Sequence, residues 1–164
     1  MKKCCFIGHR KILQSDMSEE ALRSLIVKLI DDGVGIFIFG DHSEFDDLCY
    51  TIVTELKLTY PNLHRVKYRT EHPQIGEDVK MYFLSGLEDN ICPSGVERAG
   101  RLAYIKRNEA MIYDSDYCVF YYDGNYKPKA NTRGAVSTLS GTGIAYSYAC
   151  RLKKKIINVF DCCQ

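Results

Sequence analysis

The sequence predicts an α/β fold of the Rossmann-like, three-layer type, with a parallel sheet in the strand order 3-2-1-4-5. Three observations carry this expectation. The apolar runs Cys4-Cys5-Phe6-Ile7 and Ile36-Phe37-Ile38-Phe39 lack the alternation of a half-exposed strand, and each ends at a glycine, Gly8 or Gly40; unbroken apolar runs are typical of strands buried on both faces. Amphipathic stretches of helical period separate such runs. The strand-to-helix joins are short, and right-handed crossovers then lay the helices on both faces of one sheet.

The elements follow in order. Asp16-Met17-Ser18-Glu19 has capping-box spacing, and Leu22, Leu25, Ile26, Leu29 and Ile30 keep the i, i+3, i+4, i+7 rule, with Gly33 placed to close the helix. Phe45, Leu48, Cys49, Ile52 and Leu56 mark a second helix, stopped near Pro61. The stretch 64–68 then returns as a third, more polar strand at the sheet edge. Between 71 and 100, Pro73, Gly76, Gly86, Pro93 and Gly95 interrupt any long element, which predicts a long connection with at most short helical turns. A helix resumes over 102–113 on Leu102, Ile105 and Ile112, followed by the strand Tyr117–Tyr121. A polar loop over 123–133 precedes Gly141-Thr142-Gly143, which opens a helix carrying Ile144, Ala145, Ala149 and Leu152; 156–160 supplies the last strand. No repeat or low-complexity tract interrupts this alternation, and 1–164 reads as one domain.

Composition excludes several functions. The 164 residues, 46% hydrophobic, suffice for one core and leave no room for a second full domain. With 22 Lys+Arg against 21 Asp+Glu, the net charge of +1 lacks the basic excess of a dedicated nucleic-acid binder. No apolar run approaches the roughly 18 residues of a membrane span, and no signal peptide is expected. Eight cysteines without a CxxC pair point to a reducing cytoplasm rather than to disulfides or zinc. Cys4, Cys5, Cys118 and Cys150 read as small hydrophobes inside apolar segments. The expectations are a cytoplasmic protein that binds no membrane, metal or resident cofactor.

In open parallel sheets, ligands bind at the carboxyl ends of strands, beside the point where the strand order reverses. Three loops then become candidates. Gly8-His9-Arg10 leaves the first strand, where glycine permits close approach and Arg10 offers a bidentate fork to phosphate. Gly40-Asp41-His42-Ser43-Glu44-Phe45-Asp46 leaves the second; its carboxylates repel phosphate, so it caps its helix or offers Asp41 or Asp46 as acceptors to sugar hydroxyls. Ser140-Gly141-Thr142-Gly143 precedes the last helix, where small residues and the positive end of the dipole suit an anion, or simply start a helix. Arg107-Asn108 lies in the helix before the fourth strand, with Met111 on the same face; an exposed pair with Glu109 or Asp114 is the alternative. Lys153-Lys154-Lys155 complements a helix C-terminus. Tyr121, Tyr122, Tyr146 and Tyr148 either stack on a base or pack half-buried.

Taken together, Cys4-Cys5-Phe6-Ile7-Gly8-His9-Arg10, Phe39-Gly40-Asp41-His42-Ser43-Glu44-Phe45-Asp46 with Tyr60-Pro61, Lys106-Arg107-Asn108-Glu109-Ala110-Met111 with Ser115-Asp116, and Ser140-Gly141-Thr142-Gly143 resemble an uncharacterised bacterial family of the SLOG superfamily. This superfamily groups Rossmann-like proteins related to the DNA-processing protein DprA (Smf) and to the LOG phosphoribohydrolases, which release a base from a nucleoside monophosphate. The resemblance spans nearly the whole chain.

What it implies is a pocket for a nucleotide or nucleotide-derived ligand, of the ADP-ribose or nucleoside phosphate type, in a sensing role. Gly141, Thr142 and Gly143 would receive phosphate, Arg10 and Arg107 would balance its charge, and Tyr122 could cover the base. LOG enzymes carry Arg-Lys-x-x-Met and Pro-Gly-Gly-x-Gly-Thr-x-x-Glu segments, whose arginine and glutamate are implicated in catalysis. The arginine corresponds to Arg107, but Ile144 stands at the threonine and Ser147 at the glutamate. A LOG-type hydrolase would need another carboxylate, such as Asp41, Asp46 or Glu88. A DprA-like single-stranded DNA module is disfavoured by the neutral charge, and the LOG resemblance implies a homodimer.

Overall fold

The computed structural model describes residues 1–12, 18–40, 43–70, 89–96, 99–126 and 140–160. Its elements are β1 (Lys2–Gly8), α1 (Glu19–Asp31), β2 (Val34–Phe39), α2 (Glu44–Leu56), β3 (His64–Tyr68), β4 (Asp89–Ile91), α3 (Ala103–Asp114) after a 3-10 turn at Gly100–Leu102, β5 (Tyr117–Tyr121), α4 (Gly141–Arg151) and β6 (Lys155–Asn158). All strands run parallel in the order β4-β3-β2-β1-β5-β6.

The predicted order 3-2-1-4-5 persists as the inner run β3-β2-β1-β5-β6, but the sheet has six strands, and His64–Tyr68 is not its edge. Asp89–Ile91, inside the connection expected to hold only helical turns, pairs with it in the register Val66↔Asp89, Lys67↔Asn90 and Tyr68↔Ile91. The Arg69 amide extends this ladder by donating to the Ile91 carbonyl at 2.8 Å. Asp-Asn-Ile is too short and polar to show a hydrophobic period; only backbone pairing makes it a strand.

The unbroken apolar runs have a direct structural cause. Successive strand side chains point to opposite faces, and both faces are covered. Cys4 and Phe6 enter one core layer with Phe37, Phe39 and the buried faces of α1 and α2. Cys5 and Ile7 enter the other, with Ile38, Phe120 and residues of α3 and α4. At the centre, Phe6 lies 5.8 Å from Phe37, 5.4 Å from Phe39 and 6.3 Å from Phe45. Helix α1 starts at Ser18, whose Oγ accepts from the Ala21 amide at 3.4 Å. It ends beside Gly33, whose φ of +91° places it in the left-handed region that glycine tolerates. Asp16 and Met17 of the capping-box segment lie outside the described residues.

Cys4, Cys5, Cys49 and Cys118 are buried, and burial pushes the thiols of Cys4, Cys5 and Cys49 well above their ordinary range, so they pack as neutral hydrophobes. Cys150, expected among them, is exposed on α4. Among the described residues no helix is long and apolar enough to cross a membrane, and no group of three or more His, Cys, Asp or Glu side chains could hold a metal ion.

Candidate functional site

The chain extends from β1 to β2, β3 and β4 on one side, then crosses to β5 and β6 on the other. The order therefore reverses between β1 and β5, where such folds open a crevice at the carboxyl ends of their strands. A cavity of about 260 Å³ opens there, at the end of β1. Its lining brings together four distant stretches: Gly8, His9 and Arg10 after β1; Ser43 and Asp46 at the start of α2; Arg107 and Asn108 on α3; Ser140, Gly141 and Thr142 at the start of α4.

The two helix N-termini differ in what they leave to a ligand. At α2 the chain uses its own groups: the Glu44 amide donates to the Arg10 carbonyl at 3.0 Å and the Asp46 amide to Ser43 Oγ at 3.0 Å. The Glu44 carboxylate returns the contact by accepting from the Ile12 amide at 3.0 Å. This start is capped and carries negative charge, so it repels a phosphate. At α4 no acidic residue stands in the first turn, and Ser140 Oγ accepts from the Gly143 amide at 3.0 Å. The amides of Gly141 and Thr142 belong to the first turn, have no acceptor within their own helix, and lie at the cavity. Replacing Ser140 by alanine is expected to destabilise the protein by about 1 kcal/mol, as loss of an N-cap does; the urea midpoint measures it.

Arg107 is 5% exposed, and both Nε and Nη2 donate to Asn108 Oδ1, at 3.2 and 3.0 Å. Its guanidinium lies 5.5 Å from the Tyr104 ring centroid. A β-carbon at Gly40 would stand 2.9 Å from Nη2, so glycine there makes room for the arginine. Gly40 thus shapes the cavity through Arg107 without lining it. Gly143 is likewise set back from the lining, and its missing side chain leaves space for Tyr122, whose ring a β-carbon would meet at 3.3 Å. The space a Gly8 side chain would take belongs to Phe45, with carbons 2.6 and 2.7 Å from that position. Of the two other charged residues in the lining, Arg10 is exposed and Asp46 buried.

His9 is buried against tyrosines, 4.3 Å from the ring of Tyr126 and 5.9 Å from that of Tyr122. Its Nε2 accepts from the Asp123 amide at 3.1 Å, which places the ring proton on Nδ1 of a neutral imidazole. Burial lowers its pKa from the usual 6.5, against a smaller opposing pull from Asp123. A lowered folded value means that protonation favours the unfolded chain. His9 therefore contributes stability that is complete above 6.5 and lost as pH falls through the folded value. The urea midpoint of the wild type is expected to drop more between pH 7 and pH 5 than that of a His9→Gln variant, whose amide oxygen accepts the same bond without titrating.

Sequence reasoning missed two aromatic members of the lining, Tyr104 and Tyr126. Tyr104 stands three residues before Arg107, one helical turn away on the same face, so the helical period held that signal. Tyr126 lies in a polar loop with no periodicity to mark it. Tyr122, the expected cover for a base, instead packs on Tyr146 with centroids 4.9 Å apart. Ser147, at the glutamate position, is exposed, and its hydroxyl donates to the Gly143 carbonyl of its own helix at 2.9 Å. Asp41 and Glu88 lie outside the described residues. No protein-family model matches the chain, and no curated protein matches it.

Proposed function

We propose that this protein binds a nucleotide or nucleotide-derived ligand, of the ADP-ribose or nucleoside monophosphate type, at the carboxyl end of β1. One observation carries the reading: two arginines and a helix N-terminus, from three distant stretches, line a single cavity at the reversal point of a Rossmann-like sheet. Phosphate oxygens accept from the Gly141 and Thr142 amides and the Thr142 hydroxyl, while Arg10 and Arg107 balance the charge. Asp46, buried in the first turn of α2 and part of the same lining, accepts from ribose hydroxyls. The resemblance to the SLOG superfamily supports the same ligand class and a sensing role in which binding, not turnover, is the output. Native mass spectrometry of the freshly purified protein, followed by calorimetric titration with ADP-ribose and AMP, tests the reading. A co-purified nucleotide or saturable binding is expected; absence of both overturns it.

The second reading is a phosphoribohydrolase of LOG type, and the observation that favours it is a buried carboxylate, Asp46, in the same lining as Arg107. Cleavage of an N-glycosidic bond needs a group that activates water and stabilises oxocarbenium charge; exposed Ser147 supplies neither. Release of free base from a panel of nucleoside monophosphates, lost in Asp46→Asn, would establish the hydrolase. Binding without base release leaves the sensor.

A further inference from the structure

Two large hydrophobic side chains that stay exposed, Tyr126 at 48% and Tyr104 at 42%, both line the same cavity. Phosphate gains nothing from aromatic surface there, whereas a planar heteroaromatic ring gains stacking energy from it.

Tyr126 is exposed without being loose. Its ring lies tilted against that of His9, with centroids 4.3 Å apart and an interplanar angle of 32°. The backbone below it is a closed turn: the Tyr126 amide donates to the Asp123 carbonyl at 3.1 Å, and the Asn125 amide donates to Asp123 Oδ1 at 2.7 Å. The Asp123 amide in turn donates to His9 Nε2 at 3.1 Å, so the imidazole holds both the turn and the ring. A platform fixed before binding loses little side-chain freedom when a ligand stacks on it. Tyr104 is oriented in the same way, with the Arg107 guanidinium 5.5 Å from its centroid.

We propose that Tyr126, held against His9, is a base-stacking platform, and that Tyr104 forms a second aromatic wall of the same subsite. The ligand is then a nucleotide held at both ends, with its base on Tyr126 and its phosphate at the start of α4; the second half of that statement rests on the reading proposed above.

The test compares adenosine, AMP and ribose 5-phosphate by calorimetric titration against the wild type, Tyr126→Ala and Tyr126→Phe. AMP is expected to bind at least about tenfold more tightly than ribose 5-phosphate, the size of effect that base stacking on an aromatic side chain provides. Tyr126→Ala closes that gap and Tyr126→Phe, which keeps the ring, preserves it. Equal wild-type affinities for AMP and ribose 5-phosphate, or equal weakening of both by Tyr126→Ala, overturns the base subsite and leaves the phosphate reading standing. Adenosine bound in a Tyr126-dependent manner, with ribose 5-phosphate not bound, establishes the base subsite and removes the phosphate one. No binding of any of the three overturns both.

Discussion

Arg107→Ala is expected to weaken binding of ADP-ribose or AMP about a hundredfold, equivalent to about 3 kcal/mol. The guanidinium is nearly excluded from water, and an anion beside it therefore interacts in a medium that screens charge poorly. It is also set in place before a ligand arrives: Asn108 Oδ1 accepts from two of its nitrogens, and the Gly40 backbone and Tyr104 ring lie against it. Asn108 orients the group through its neutral amide oxygen. Arg107→Lys keeps the charge but loses the planar fork, so it is expected to recover only part of the affinity. Calorimetric titration measures the effect, and a matching urea midpoint shows that the fold survives. Wild-type affinity in Arg107→Ala would remove this residue from the binding site.

Gly8→Ala is expected to destabilise the protein by about 3 kcal/mol, near the upper end of what overpacking a filled core costs. The new carbon would stand 2.6 Å from Phe45 Cβ and 2.7 Å from its Cγ and Cδ1, distances that real side chains do not adopt. Phe45 cannot swing aside cheaply. It is fully buried, meets Phe6 edge-on at 6.3 Å and stacks on Tyr121 at 5.8 Å. The contact reaches Phe45 Cβ, next to the backbone, so relief requires α2 itself to move. Urea unfolding measures the loss; a cost below about 1 kcal/mol would show that β1 and α2 separate easily. The two residues mark different layers of the same region, since Gly8 sets how closely α2 seats on β1 while Arg107 sets what the resulting cavity attracts.

Most of the sheet was legible from periodicity. Cys4-Cys5-Phe6-Ile7 and Ile36-Phe37-Ile38-Phe39 are apolar at every position because α1 and α2 cover one face and α3 and α4 the other. The strands His64–Tyr68 and Tyr117–Tyr121 fall at the expected bounds. Asp89–Ile91 was not legible, because three residues that pair through backbone alone leave no side-chain pattern. The candidate loops were legible from topology, since residues that follow the strands nearest the reversal point must gather at one end of the sheet. Their individual duties were not. Gly8 and Gly40 read as room for a ligand; Gly8 lines the cavity, and the β-carbon spaces of the two glycines hold Phe45 and Arg107.

By itself the sequence determined a parallel, doubly covered sheet and the group of loops at its carboxyl edge, because hydrophobic period and short connections act locally and survive in one dimension. Only the tertiary structure decided that Arg107 is buried against Gly40, that Tyr126 stands on His9, and that Ser147 is exposed outside the cavity lining. Those contacts join residues 67 and 117 positions apart for the first two pairs, and steric fit between such distant partners exists only once the elements have packed.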